Sequence, residues 1–378
     1  MKNFKMLYVA EVQLPGRKAS SIHVMRMCRA FARQGIKVRL LALKSKQFTN
    51  EEELYRYYDV EDCFEIKLIQ SPGSGRLSAF YLAFRAMLEV LFYRPDVAYT
   101  RSPVSSFFFS FMGCRFVYEA HVLLHHTGHK WLASFYRRFS QARRFLGMVA
   151  ISSALKNLYV ERGTSAEDIF VAHDGADAKP LDVQGRLKGN LHFNAGYFGN
   201  VYKGRGVDII IGMAHKMPEV GFHIIGGSSQ DVDPTIEIPE NMFFYGFLPP
   251  SEVHLYRNAC DVLLAPYQPE VFVSNKKAYS TSSYMSPLKI FEYMSARKPV
   301  IVSDMPVLRE VLAEDCAMLV SPSNVEEWVH TMNILRHDEE KRKALALNAY
   351  DYFCDHFTWN KRAEAIYKWM IEREIKHT

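Results

Sequence analysis

From Tyr284 to Asp304 the chain reads YMSPLKIFEYMSARKPVIVSD, and its polar residues fall where an anion and a diol could be held side by side. Ser286 is of the type that caps a helix and Pro287 suits a first helical turn, so a helix is expected to begin there. The N–H groups and dipole at such a helix start favour a diphosphate. Lys289 falls in the first turn, where a cation opposes the dipole and an arriving anion relieves the cost. Glu292 lies close to one turn further on, on nearly the same face, and its carboxylate can accept two hydrogen bonds from a vicinal diol such as ribose. A capped helix with a solvated Lys–Glu pair would read the same way, so the segment needs support from elsewhere.

Other segments offer similar chemistry. Gly199, in Gly196-Tyr-Phe-Gly-Asn-Val-Tyr-Lys-Gly-Arg-Gly206, lets backbone approach a ligand closely, although such glycine-rich loops are more often plain turns. Tyr118-Glu119-Ala120-His121 closes an apolar strand pattern, and a neutral imidazole at His121 could hydrogen-bond a sugar hydroxyl. His125, His126 and His129 follow, and His125 and His129 have i, i+4 spacing. No glutamate stands in the HExxH register, so a metal is not expected. Arg17 and Lys18, in the loop Pro15–Ser21, could meet a phosphate or sit in a solvated turn.

These segments together resemble glycosyltransferase family four, of the GT-B fold, and the resemblance runs over nearly the whole chain. Family members carry SPLK-x-x-EYM followed by G-K-P-V where this chain has SPLKIFEYMSARKPV, with Arg297 at the usual Gly. The resemblance implies that Glu292 holds ribose hydroxyls and that the turn Ser286, Pro287, Leu288, Lys289 meets the phosphates. It makes Arg205 the second phosphate-binding base, usually Lys, and puts Asn200 at the first, where Lys203 would compensate. Phe247 and Leu248, in YGFLP, match the turn that reads the base, and Asp261–Pro266 matches the D-x-x-x-x-P loop. His121 would lie near the transferred sugar. Gly16 stands in the first glycine-rich loop, with Arg17 and His23 facing the acceptor side, as does Arg101 at the end of another strand. His173-Asp-Gly-Ala-Asp177 resembles the hinge motif. Tyr284 stands where many relatives have a glutamate that touches the donor sugar, which leaves the sugar open. The resemblance further implies a retaining hexosyltransferase that uses a nucleotide-diphosphate sugar as co-substrate, with no bound metal or other cofactor. Basic side chains and helix starts would neutralise the leaving diphosphate.

The elements that must position these residues follow from the apolar pattern. Short apolar runs alternate with helical periodicity, as in parallel α/β sheets. Strands are expected at 6–12, 36–43, 96–100, 115–119, 147–151 and 169–173, then at 195–199, 221–225, 242–245, 261–265, 299–303 and 317–320, with 324–376 mostly helical. Ser20 or Ser21 is expected to cap the first helix and Gly35 to end it. The loop 174–190 breaks the rhythm. The fold expected is α/β, two Rossmann-like domains facing across a cleft. The first is an acceptor domain, 1–178 plus a closing helix 357–378 that crosses back to it. The second is a nucleotide-sugar domain, 179–356.

With 378 residues the chain is long enough for two such cores, and 48% apolar with 23% charged residues is an ordinary globular balance. Six cysteines, none in a CxxC pair, indicate neither a zinc knuckle nor a disulfide framework. The N-terminus shows no signal-peptide core and no stretch is long enough to span a bilayer, so a cytoplasmic protein is expected. A net charge of +6 fits an anionic ligand, an anionic membrane surface or nucleic acid. The segment WLASFYRRFSQARRFL (131–146) interleaves aromatics with arginines, which suits either an outer helix of the sheet or a peripheral contact with the inner face of an anionic membrane. Nucleic acid is not expected, because no recognised module accompanies the charge. The function expected is transfer of a sugar to a glycan or lipid-linked acceptor in cell-surface polysaccharide or glycoconjugate synthesis. The alternatives are a nucleotide-sugar epimerase of the same fold and a non-catalytic partner subunit of a transferase complex.

Overall fold

The computed structural model describes residues 4–376 apart from 74, 127–128, 190 and 272–279; residues 1–3 of the opening stretch and Asn190 of the expected linker therefore lie outside the described residues. The chain forms two compact units, residues 1–173 with 359–378, and residues 174–358.

In the first unit, strands β1 (Lys5–Leu14), β2 (Lys37–Lys44), β3 (Glu65–Ile69), β4 (Val97–Thr100), β5 (Arg115–Ala120), β6 (Phe145–Ala150) and β7 (Ile169–Val171) alternate with helices. The helices are α1 (Ala19–Arg33), α2 (Glu51–Tyr58), α3 (Arg76–Tyr93), α4 (Pro103–Phe109), α5 (Lys130–Phe139) and α6 (Ser153–Val160). The sheet is parallel with order β3-β2-β1-β4-β5-β6-β7. The order reverses between β1 and β4, which pair through Tyr8 and Tyr99 and through Val9 and Thr100. Ligands of doubly wound sheets bind beyond the strand ends at that reversal. The loop after β1 (Gly16, Arg17) and the turn after β4 (Arg101) emerge there. The sequence shows why the elements stop and start: Asn50, Ser102 and Ser152 cap α2, α4 and α6 by accepting from Glu53, Ser105 and Leu155 N–H groups.

Helix α12 (Trp359–Lys376) completes this unit. Trp369 stacks on Phe170 at 5.4 Å between ring centroids. It also packs where a Cβ at Gly147 would come within 2.9 Å of its ring. Arg373 donates to the Leu146 carbonyl at 2.7 Å and pairs with Asp168.

The second unit repeats the plan with β8 (Phe193–Phe198), α7 (Val207–Lys216), β9 (Val220–Ile225), β10 (Met242–Gly246), α8 (Val253–Ala259), β11 (Val262–Ala265), α9 (Leu288–Ser295), β12 (Val300–Ser303) and β13 (Met318–Val320), followed by α10 (Val325–His337) and α11 (Glu339–His356). Its parallel sheet has order β10-β9-β8-β11-β12-β13, reversing between β8 and β11. Tyr197, Ile210, Phe222, Ile224, Leu264, Trp328 and Met332 fill the core between this sheet and the helices α7 and α10. The loops after β8 (Gly199–Gly206) and β11 (Pro266, Tyr267) leave from the reversal.

Some expectations need correction. The chain passes between units after His173 and after Thr358, not at 178 and 356, because Ala176 donates to the Phe357 carbonyl and bridges to Thr358 within the second unit. Strand β3 was not expected; it is an edge strand of five residues with a charged, half-exposed face. Ser20 and Ser21 lie inside α1, whose start at Lys18 has no side-chain cap, whereas Gly35 follows the end with φ of +80°. The stretch 131–146 is not one helix: α5 ends at Phe139, and Arg143 and Arg144 lead into β6.

Candidate active site

The second unit gathers most of the donor-site residues around the ends of β8 and β11. Gly199 adopts φ of +147°, and a Cβ there would lie 3.1 Å from the Lys289 Nζ, so the glycine leaves room for that ammonium. Lys289, in the first turn of α9, points its Nζ at the faces of Tyr197 (3.9 Å from the centroid) and Tyr267 (4.8 Å). The Nζ is buried and makes no hydrogen bond. Burial, then the nearby Arg205 charge, pushes the Lys289 ammonium well below its usual range, with Glu292 pulling the other way. Arg205 lies 5.6 Å from the centroid of the same Tyr267 ring. Its loop is held by Gly204 and Gly206, where any Cβ would fall within 1.8 Å of the Glu270 and Pro266 carbonyl oxygens. Two cations thus share one aromatic wall, an arrangement that an anion would stabilise and that is otherwise costly.

Glu292 is not a solvated partner of Lys289. Its Oε2 accepts from the Nη1 of Arg257 at 2.7 Å, and Arg257, on α8, is buried with its guanidinium 5.8 Å from the Phe198 ring centroid. The carboxylate therefore arrives pre-aimed, with about a third of its side chain accessible. Arg257 is a functional candidate that sequence reasoning missed; a helical arginine 35 residues upstream carries no local signal of such a pairing.

Ser286 does not cap α9. Pro287 occupies the cap position without a side-chain bond, while the Ser286 Oγ accepts from the Asp174 N–H at 2.9 Å. Leu288 opens the helix, and a proline directly before it leaves only that residue's hydroxyl-free ring at the cap. Tyr284 is fully buried, so the position of the expected glutamate has become core. Asn200 and Lys203 are exposed; the Asn200 carbonyl accepts from the Tyr197 hydroxyl at 2.6 Å. Phe247 and Leu248 follow Gly246, whose N–H donates to the Gly227 carbonyl, so the turn lies beside the end of β9, with Phe247 exposed.

In the first unit the candidates fall into a second group. Gly16 is clamped by Tyr58, whose hydroxyl accepts from its N–H at 2.7 Å and donates to its carbonyl at 3.0 Å. Arg17 is exposed on this loop, and Arg101 donates to the Ser20 carbonyl at 3.3 Å. His23 and His121 meet edge to face at 4.7 Å, and both Nε2 atoms approach the Oε1 of Glu119, at 3.0 and 3.3 Å. The same oxygen accepts from the Arg362 Nη2 at 2.6 Å, and Oε2 accepts from the Tyr8 hydroxyl at 2.9 Å. Burial would raise the Glu119 carboxyl; His23, Arg362 and His121 outweigh it and hold it well below the ordinary carboxylate range. Burial, then Arg101, lowers the His121 imidazole to about 4, against the pull of Glu119. Glu119 and Arg362 were missed: the former sits two residues before the histidine that drew attention, the latter on the far end of the chain.

Metal binding was weighed for the histidines after His121. His125 belongs to a short helical turn (Leu124–His126) and His129 precedes α5, so their spacing does not place them on one helix. Among the described residues, the group with ligand-like spacing is His23, Glu119 and His121, whose donor atoms lie within 4.8 Å of one another. The Arg362 guanidinium already occupies the charge of that carboxylate.

Two family models match the chain, Glycosyltransferase Family 4 over residues 20–179 and Glycosyl transferases group 1 over residues 194–352. No match was found among curated protein sequences. Solved structures of the same architecture include Anabaena HepE in complex with UDP and glucose, at 17% identity and TM-score 0.69, covering 97% of this chain and 98% of that one. Sucrose-phosphate synthase from Thermosynechococcus elongatus matches at 14% identity and TM-score 0.69, covering 98% and 99%. The apo lipopolysaccharide outer core galactosyltransferase WaaB matches at 17% identity and TM-score 0.66, covering 98% and 100%. With both halves matched in order and two parallel α/β sheets of the expected topology, the chain belongs to glycosyltransferase family 4 and has the GT-B fold.

Proposed function

We propose that this glycosyltransferase takes a sugar from a nucleotide-diphosphate donor and passes it, with retention of anomeric configuration, to a glycan or lipid-linked acceptor in cell-surface polysaccharide or glycoconjugate synthesis. The observation that carries the donor assignment is the buried Lys289 ammonium, without a hydrogen bond, beside Arg205 on the Tyr197–Tyr267 wall. A diphosphate supplies the acceptor that this ammonium lacks. Relatives of the same fold captured with UDP or UDP-glucose support a nucleotide of that type.

The roles follow from the geometry. Arg205, Lys289 and the first-turn N–H groups of α9 stabilise the diphosphate as negative charge develops on it, and no bound metal is invoked for that task. Glu292, aimed by Arg257, takes the ribose hydroxyls. The Gly199 backbone gives the phosphates close approach, and Phe247 and Leu248 flank the base. His121 contacts the transferred sugar or acceptor, with Gly16, Arg17, His23 and Arg101 on the acceptor side. No side chain acts as a covalent nucleophile in this reading.

The first unit also supports peripheral contact with an anionic membrane from the cytoplasmic side. Leu77, Phe84, Leu91, Phe92 and Phe111 are exposed on or beside α3 and α4. Arg76 and Arg138 reach over the rings of Trp131 and Phe111, at 5.6 and 5.0 Å. Apolar insertion flanked by cations is how interfacial surfaces bind. Among the described residues no helix is long and apolar enough to cross a membrane.

Calorimetry with UDP, GDP, ADP and their sugars tests the donor. One nucleotide diphosphate should bind and stabilise the protein by ~2.7 kcal/mol at a hundredfold excess over Kd. Arg205→Glu should abolish this. Absence of binding by every such nucleotide to folded protein overturns the reading, and turnover of a nucleotide sugar without acceptor would point to an epimerase instead.

A further inference from the structure

We propose that Glu119 and Arg362 are positioning residues for His121: together they fix its proton on Nε2 and present Nδ1 as the acceptor for a sugar hydroxyl. The proposal deepens the transferase reading of the first unit and rests on it for the identity of the hydroxyl.

The argument starts from what a carboxylate can do. An ionised Glu119 has no proton to give, so an imidazole nitrogen facing it must carry the N–H. The His121 Nε2 lies 3.3 Å from Oε1, and a neutral ring with its proton there has its lone pair on Nδ1. The ionisation of Glu119 depends in turn on a permanent cation. Arg362 supplies it at 2.6 Å and is itself over-determined. Its Nε donates to the His173 carbonyl at 2.8 Å, its Nη2 also to the Ala172 carbonyl at 3.2 Å, and its Nη1 meets the Met27 sulfur at 3.3 Å. Arg362 is 4% exposed and Glu119 1%, so neither moves without opening the unit.

Every element around the imidazole contributes a group that bears on its charge. Strand β1 brings the Tyr8 hydroxyl onto Glu119, and β4 brings the buried Tyr99 and, just beyond its end, Arg101. Helix α1 brings His23, and α12 brings Arg362 with Trp359, whose ring packs edge to face on His23 at 5.1 Å. Two guanidiniums thus face a single carboxylate, and a further positive charge on His121 is opposed by that balance. Arg362 lies beyond both family-matched segments, which end at residues 179 and 352. The device is therefore built from the closing helix and not from the matched motifs.

Long-range ¹H–¹⁵N NMR of histidine-labelled full-length protein tests this, with His121 assigned by His121→Gln. In the wild type His121 should show the Nε2-protonated pattern and no titration between about pH 5.5 and 8.5. Arg362→Met removes a cation, so the imidazole should become easier to protonate and titrate within that window. Glu119→Gln should instead leave it neutral but mix the tautomers, because an amide can donate or accept. In transfer assays both variants should lower kcat at least about tenfold, while nucleotide affinity, measured in the other unit, stays within about twofold. If Arg362→Met does not fold, Arg362→Lys, which keeps the charge and loses the fork, should keep His121 neutral and lower kcat less. A wild-type His121 that titrates near its ordinary value, a proton on Nδ1, or an Arg362→Met protein with unchanged tautomer and titration overturns the proposal. The NMR readout uses neither donor nor acceptor, so it stands or falls apart from the transferase reading.

Discussion

Replacing Lys289 by methionine separates a ligand-binding cation from a structural one, because the two roles predict opposite signs. In the free protein the ammonium is buried without a hydrogen bond, a cost of about 1–3 kcal/mol by analogy with other unsatisfied polar groups. Its contacts with Tyr197 and Tyr267 offset this by up to about 2 kcal/mol at a desolvated site. Methionine keeps the stem against the rings and removes both effects. The net change in stability should then lie between zero and a gain of about 1 kcal/mol, a rise in Tm of at most ~4 °C for units of this size. In the nucleotide complex the lost ammonium–diphosphate bond is worth about 1.5–3 kcal/mol, a loss of roughly 10- to 150-fold in affinity. Thermal unfolding with and without nucleotide, together with calorimetry, reads both quantities on the same protein. A fall in Tm of several degrees with nucleotide affinity unchanged would refute the reasoning, since it would make Lys289 part of the scaffold.

Other consequences can be checked with the same assays. The Lys289 ammonium is held below its usual range in the free protein, and a bound diphosphate pulls it back up. Nucleotide binding should therefore take up protons and weaken as pH rises through the depressed free-state value; calorimetry in buffers of differing ionisation enthalpy measures the uptake, and proton release would contradict it. Arg257→Gln unlocks the Glu292 rotamer by removing a 2.7 Å charged bond, and nucleotide affinity should fall about tenfold or more. The loss should be smaller when the nucleotide lacks its ribose hydroxyls. Gly206→Ala, at φ of +79° with the new Cβ 1.7 Å from the Pro266 oxygen, should cost at least about 1–3 kcal/mol in denaturant unfolding. It should also displace Arg205 enough to weaken nucleotide binding.

Much of this architecture was legible in the sequence because parallel sheets buried on both faces write themselves as short apolar runs. The runs MLYVA and VLLA sit where the two sheets reverse, and the loops after them hold Gly16 and Gly199. Strand β3 escaped because EIKLI at a sheet edge has only its alternate residues to mark it. Lys289 and Glu292 could be placed on a helix start by spacing alone. The Arg257 contact with Glu292 and the Ser286 contact with Asp174 could not, since both join residues far apart in the chain. The same holds for Glu119: the strand end was visible, but the four side chains that converge on it come from β1, α1, the segment after β5, and α12.

The placement of α12 in the first unit also bears on biosynthesis. Residues 174–358 form one unbroken stretch of chain, whereas the first unit draws its last helix from the final residues. As the ribosome advances, the nascent second unit can finish folding while the first still lacks the guanidinium that balances Glu119 and the indole that fills the space over Gly147. The half that begins translation is thus the half completed last, and a stalled or prematurely terminated chain leaves it with a buried carboxylate and an open groove, a form that quality-control proteases can recognise.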